Sequence, residues 1–152
     1  NANEHVSAKI SIAFIVLFTI AKAIVFMFES LQKVIEVSKN DIPYYQFLLF
    51  LGLNITLIIL SFSIDYYCLY KALPASFSGV QHNESSLYIF IDFIYLSIMA
   101  FTNFGYGNIV ATTMVAKFIL TVELLISYAF IIFILSDFIS LKESLANRNS
   151  KK

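Results

Sequence analysis

Charged side chains are scarce in this sequence. Asp, Glu, Lys and Arg make up only 13% of the 152 residues, whereas a soluble globular chain carries about 25%. So few charges cannot cover a water-exposed surface, which argues against a soluble enzyme and against a disordered segment. The 10 basic and 10 acidic residues balance, so no excess of positive charge points to a nucleic-acid partner.

Cysteine is almost absent as well. Cys68 is the only one, which excludes an intrachain disulfide and a cysteine-based metal cluster. His5 and His82 stand apart from each other in polar segments, so the sequence suggests neither a catalytic triad nor a metal site, and we expect no enzymatic activity and no cofactor. Apolar residues, in contrast, make up 59% of the chain, and the mean hydropathy is +0.81. This composition predicts an integral membrane protein.

Three apolar runs are long enough to cross a bilayer. A spanning helix needs about 20 mostly apolar residues, because each residue adds about 1.5 Å and the hydrocarbon core is about 30 Å thick. The first run covers residues 10–28, the second 44–64 and the third 115–136. A fourth run, 86–101, is too short to span, and its length suits a helix that enters the membrane partway and turns back.

The basic residues predict the orientation, because cytoplasmic loops collect Lys and Arg. Six of them lie between the first two runs or behind the last one, and three lie on the opposite side. We therefore expect residues 29–43 and the C-terminal tail in the cytosol, and residues 65–85 outside. Lys22 interrupts the first run, and we expect it to snorkel toward the cytosolic interface. A helix lying in the membrane interface is the alternative for this run.

Glycine is rare too, and its placement is informative. Two of the four glycines, Gly105 and Gly107, lie in the segment 102–108, between the short run and the third span. Glycine adopts positive φ angles at little cost, and alternating such residues with ordinary ones turns successive carbonyl oxygens toward one side of an extended strand. Four copies around an axis would stack these oxygens into rings that replace the water shell of a cation.

Residues 95–110, Tyr-Leu-Ser-Ile-Met-Ala-Phe-Thr-Asn-Phe-Gly-Tyr-Gly-Asn-Ile-Val, resemble the pore signature of tetrameric potassium channels. The common bacterial form of that signature is roughly Y-F-S-x-x-T-x-T-T-V-G-Y-G-D-I-x-P. The likeness extends over residues 44–136. It implies an all-α integral membrane protein that assembles as a homotetrameric channel. Its parts would be an outer helix (44–64), a re-entrant pore helix (86–101), a selectivity-filter loop (102–108) and an inner helix (115–138).

The resemblance also assigns roles to individual residues. The six filter residues would be Thr102, Asn103, Phe104, Gly105, Tyr106 and Gly107, and K⁺ would bind at the backbone carbonyls of Asn103, Phe104, Gly105 and Tyr106. Support for the filter would come from Tyr95, Asn108 and Glu123, and Ser127 is the candidate for a hinge at the gate. Glu123 lies deep in a span, where an ionisable group is costly. We expect it to have a structural role, as a hydrogen-bond partner behind the pore helix or as a protonated carboxyl, rather than to contact the ion.

The sequence departs from the family pattern at several positions. Asn103 replaces a threonine whose hydroxyl completes the innermost ion site, and Phe104 replaces a smaller valine or isoleucine. Asn108 stands in place of an aspartate, Ala111 in place of a common proline, and Ser127 in place of a hinge glycine. The first two departures bear on selectivity and conductance, and the last bears on how the gate bends.

We therefore expect a potassium channel pore in the plasma membrane, whose partners are K⁺ ions, the lipid bilayer and further copies of the same chain. The chain would divide into an N-terminal transmembrane or interfacial helix with a cytoplasmic linker (1–43), a pore domain (44–138) and a cytoplasmic tail (139–152). Two alternatives remain. Asn103 motivates a weakly selective channel that admits both K⁺ and Na⁺. The other is a non-conducting membrane scaffold or accessory subunit.

Overall fold

The computed structural model describes residues 2–39, 44–80, 85–105 and 107–149. Within these ranges the chain forms the helices α1 (Ala2–Lys39), α2 (Tyr44–Ala72), α3 (Ser86–Phe101) and α4 (Met114–Asn149). A 3-10 turn at Pro74–Ser76 follows α2, and the two-residue strands β1 (Phe77–Ser78) and β2 (Val110–Ala111) lie on either side of α3.

Three of the helices contain segments that are long and apolar enough to cross a membrane: Ile10–Glu29, Leu48–Ala72 and Met114–Leu135. Large apolar side chains on their outer faces are exposed, including Phe14 and Leu49. Surface of this kind suits hydrocarbon or another protein copy rather than water. The 16 residues of α3 are too few to span. The all-α architecture with three spans and one short helix is thus confirmed.

Three helices continue beyond the ends expected from the sequence. The first apolar run ends at residue 28, but α1 extends to Lys39, through most of the expected linker. The second apolar run ends at residue 64, before Asp65, but α2 extends to Ala72. Asp65 therefore lies within the span rather than in an outer loop, and its carboxylate is paired with Lys22 on α1. The polar residues from 139 onward were expected to form a tail, yet α4 continues to Asn149. This stretch contains Leu, Lys, Glu and Ala, which have high helix propensity.

An aromatic cluster holds the short helix α3 against α2. The ring of Phe93 is fully buried, and its centroid lies 5.1 Å from that of Phe77 and 5.6 Å from that of Tyr70. Tyr66 packs edge-on against Phe77 at 5.6 Å, a geometry that aromatic pairs favour. The other buried residues of α3 recur at helical spacing and are Ile89, Leu96, Ser97, Ala100 and Phe101. The packing leaves the C-terminal end of α3 at a defined position.

A small antiparallel sheet ties the segment before α4 to the loop that follows α2. In this sheet β1 pairs with β2, and Phe77 lies opposite Ala111. One residue further on, the backbone N–H of Thr112 donates to the carbonyl oxygen of Ser76 at 2.9 Å. The Thr112 hydroxyl donates to the carbonyl oxygen of Ala75. These bonds fix the position of the chain that follows residues 102–108, just before α4 begins.

Gly79 allows the same loop to approach the backbone of Asn108. A Cβ atom added at Gly79 would lie 1.9 Å from the carbonyl oxygen of Asn108, far inside van der Waals contact. The φ angle of Gly79 is also +88°, which is strained for residues with a side chain. Only glycine fits at this position.

We predict that Gly79→Ala lowers the free energy of unfolding by about 2–4 kcal/mol, because both the steric overlap and the backbone conformation are unfavourable. Thermal unfolding of the detergent-solubilised protein measures the loss. Gly52→Ala is the matched control, since outside the adjoining backbone of α2 no atom of the described residues lies within 4 Å of an added Cβ at Gly52. Equal unfolding temperatures for the two variants would contradict the close approach of residues 79 and 108.

Candidate functional site

The segment that carries the glycine motif begins as the C-terminal cap of α3. The backbone N–H of Phe104 donates to the carbonyl oxygen of Met99 at 3.1 Å, and that of Asn103 donates to the carbonyl oxygen of Ala100 at 3.1 Å. These two bonds define a Schellman motif, which ends a helix when one residue adopts a left-handed backbone. The motif places the partial negative charge of the helix C-terminus at the start of the segment.

Left-handed residues alternate along this segment. The φ angle is +57° at Asn103 and +64° at Gly105, whereas Phe104 between them does not have a positive φ. A left-handed backbone costs most L-residues about 1–2 kcal/mol, and glycine and asparagine tolerate it best. The residue type at position 103 therefore suits its backbone conformation. From the sequence alone, Asn103 is interpreted by the effect of its side chain on the innermost ion site. That residue 103 belongs to the cap of a helix is not evident from the sequence.

The structure describes five of the six predicted filter residues. All five are at least partly exposed on the single chain: Thr102, Asn103, Phe104, Gly105 and Gly107. Tyr106 lies outside the described residues. The side chain of Phe104 is 69% exposed, which is unusual for phenylalanine unless another protein copy or lipid covers it.

Two of the three candidates for supporting the filter, Tyr95 and Asn108, lie beside or within this segment. A Cβ atom added at Gly107 would lie 3.8 Å from Cε1 of Tyr95, so the tyrosine ring of α3 borders the glycine. Asn108 meets the backbone of Gly79. The contribution of Gly79 is not evident from the sequence, although it is one of only four glycines and lies in the expected outer loop.

Glu123 lies behind α3, fully buried in the centre of the helices. The Tyr66 hydroxyl on α2 donates to its Oε2 atom, and the Ser97 hydroxyl on α3 donates to its Oε1 atom. The Ser97 hydroxyl also lies 3.0 Å from the carbonyl oxygen of Ile59 on α2. One carboxyl group thereby connects α2, α3 and α4. Its two hydrogen-bond partners belong to helices, not to the segment 102–105.

Ser127, the hinge candidate, is buried one turn beyond Glu123. Its hydroxyl donates to the backbone carbonyl oxygen of Glu123 at 2.9 Å. A serine that bonds back to the preceding turn often bends a helix slightly. Its role as a hinge stays a prediction.

A second polar cluster joins α1 to α2, and it corrects the expected position of Lys22. The lysine does not snorkel to an interface, since it is 8% exposed and its Nζ lies 2.5 Å from Oδ2 of Asp65. Thr19 on α1 donates to the same oxygen at 2.6 Å. A buried counter-ion at the same depth makes it unnecessary for the lysine side chain to reach water.

A family model described as "Ion channel" matches residues 47–143 of this chain. These 97 of the 152 residues include most of α2, all of α3 and most of α4. The helix α1 lies outside the match. No curated protein and no solved structure matches the chain.

We predict that Asn103→Thr lowers the free energy of unfolding by about 1–2 kcal/mol, because a β-branched residue is unfavourable at φ +57°. Asn103→Gly keeps the left-handed backbone and should leave stability nearly unchanged. Thermal unfolding of both variants measures the difference. If threonine is tolerated as well as glycine, residue 103 does not have the backbone conformation described above.

Proposed function

The chain belongs to the ion channel family, and we propose that it is a potassium-selective pore. In this proposal K⁺ passes the plasma membrane passively, and backbone carbonyl oxygens of residues 103–106 replace its water shell. The observation that carries the proposal is the alternation of left-handed backbone at Asn103 and Gly105, directly after a short helix. Such backbone within a membrane needs either burial in protein or a water-filled path to line.

Potassium selectivity follows from the kind of ligand that the segment offers. Rings of backbone carbonyl oxygens can take the place of the hydration shell of K⁺. The C-terminus of α3 adds a partial negative charge that favours a cation at the inner end of the segment. Both features depend on the backbone, so the departures in side chains at 103 and 104 leave them in place.

A single chain supplies only one side of such a pore. We propose that four copies surround an axis, as the resemblance to tetrameric channels implies, and that residues 102–107 of each copy face this axis. The large exposed face of Phe104 supports an assembly in which a neighbouring copy covers it. We also propose that residues 29–43 and the C-terminus are cytosolic, as the distribution of basic residues indicates.

The weakly selective alternative rests on the side chain of Asn103. The φ angle of +57° is a second reason for an asparagine at this position. The residue type at 103 is therefore explained without an effect of its side chain on the ion. A non-conducting scaffold, the other alternative, would not need alternating left-handed residues after a helix that is too short to span. Flux measurements separate the three possibilities.

We predict that Gly105→Ala abolishes K⁺ flux into liposomes that contain the reconstituted protein. A Cβ atom at φ +64° would cost about 1–2 kcal/mol in each copy and turn the carbonyl groups away from their common side. Apart from its two chain neighbours, no described residue has an atom within 4 Å of the added Cβ, so the chain itself should still fold.

Gly52→Ala serves as the control for this experiment and should conduct like the unaltered protein. Wild-type K⁺ flux through a folded Gly105→Ala protein would contradict the proposed filter. Equal flux of K⁺ and Na⁺ through the unaltered protein would favour the weakly selective channel, and the absence of any flux would favour the scaffold.

A further inference from the structure

We propose that α1 positions the filter, and that Lys22 and Thr19 are the residues through which it acts. The inference rests on the proposed function, and it concerns a helix that lies outside the family match at residues 47–143. A chain of buried polar contacts leads from α1 through α2 and α4 to α3, whose end forms the start of the proposed filter.

The first step is the contact between α1 and α2. The Lys22 ammonium carries three N–H donors and has three oxygen acceptors: Oδ2 of Asp65 at 2.5 Å, and the carbonyl and hydroxyl oxygens of Ser61 at 2.8 and 3.0 Å. It also lies 4.2 Å from the centroid of the Phe62 ring. Thr19 donates a further hydrogen bond to Asp65. Residues of α1 therefore fix the position of the Asp65 carboxylate.

The second step leads from α2 to α4. Asp65 and Tyr66 are consecutive residues of the same helix, so a displacement of one displaces the other. The Tyr66 hydroxyl donates to the carboxyl of Glu123. The two polar clusters are thus joined through adjacent residues of α2.

The third step leads from Glu123 to the filter. Ser97 on α3 donates to the Glu123 carboxyl and lies five residues before Thr102. The intervening residues belong to one regular helix that ends in the Schellman motif. The motif fixes Asn103 relative to α3. A small rotation of α3 at Ser97 would consequently turn the first carbonyl groups of the filter.

Polar residues between α1 and α2 would not be required if their role were only to anchor one helix to the other. A buried ion pair contributes little net stability compared with apolar residues of similar volume, because both charges lose their hydration. Apolar side chains of similar volume could pack between α1 and α2 by van der Waals contact instead. The polar groups instead restrict the two helices to one relative position, since any other leaves a charge unpaired within the membrane.

Thr19→Val tests the proposal with the smallest change, because it removes the hydroxyl and keeps the shape and both charges. We expect the amide hydrogens of residues 97–104 to exchange about threefold faster or more, and the ratio of K⁺ to Na⁺ permeability to fall by a similar factor. The matched control is Thr121→Val. Among the described residues, the Thr121 hydroxyl donates only to the carbonyl oxygen of Lys117 within α4, and this variant should change neither quantity.

The double variant Lys22→Met/Asp65→Met separates positioning from anchoring. It removes both charges together, so it leaves no unpaired ion and should fold. We expect faster exchange at residues 97–104 and a lower permeability ratio in this variant as well, although its unfolding temperature stays close to that of the unaltered protein.

Unchanged exchange and unchanged permeability in folded Thr19→Val and in the double variant would overturn the positioning role. An unaltered protein that passes no K⁺ would contradict the proposed function instead. In that case amide exchange still decides whether α1 controls the end of α3, because this measurement does not depend on conduction.

Discussion

The arrangement of α2, α3 and α4 depends on one buried carboxyl group, that of Glu123. It accepts hydrogen bonds from Tyr66 on α2 and Ser97 on α3 while it belongs to α4. No water is available inside a bilayer to replace these partners. Separating any one of the three helices would leave a buried polar group unpaired, at a cost of about 1–3 kcal/mol or more for a charged group. The helices therefore hold one another in register, and the segment that follows α3 takes its position from them.

The same constraint explains how charged residues can lie deep within apolar helices. Lys22 and Asp65 would each be unfavourable alone in a membrane, but together they satisfy one another and three neighbouring polar groups. Their pairing joins α1 to α2, which continues past Asp65 to Ala72. The aromatic rings around Phe93 pack between the elements that these polar contacts position. Polar contacts select the relative positions of the helices, and apolar packing fills the space between them.

Local features of the fold could be predicted from the sequence, and features that depend on distant residues could not. The apolar run 86–101 coincides with the bounds of α3, because length and composition decide where a short membrane helix begins and ends. The predicted end of the second span at residue 64 is wrong. Asp65 lies within α2, and its counter-ion Lys22 is 43 residues earlier in the chain. The close approach of Gly79 to Asn108 is likewise invisible without the fold. Asn103 is an intermediate case, because its residue type permits a left-handed backbone but does not reveal one.

In the proposed pore, the backbone of residues 103–106 selects K⁺. The most direct measurement is the reversal potential of the unaltered protein in a planar bilayer, with equal concentrations of K⁺ on one side and Na⁺ on the other. Selection of K⁺ predicts a reversal potential displaced toward the K⁺ equilibrium potential, by about 59 mV for each tenfold preference for K⁺. A reversal potential near zero would show that both ions pass equally well, and it would contradict selection by the carbonyl-lined segment.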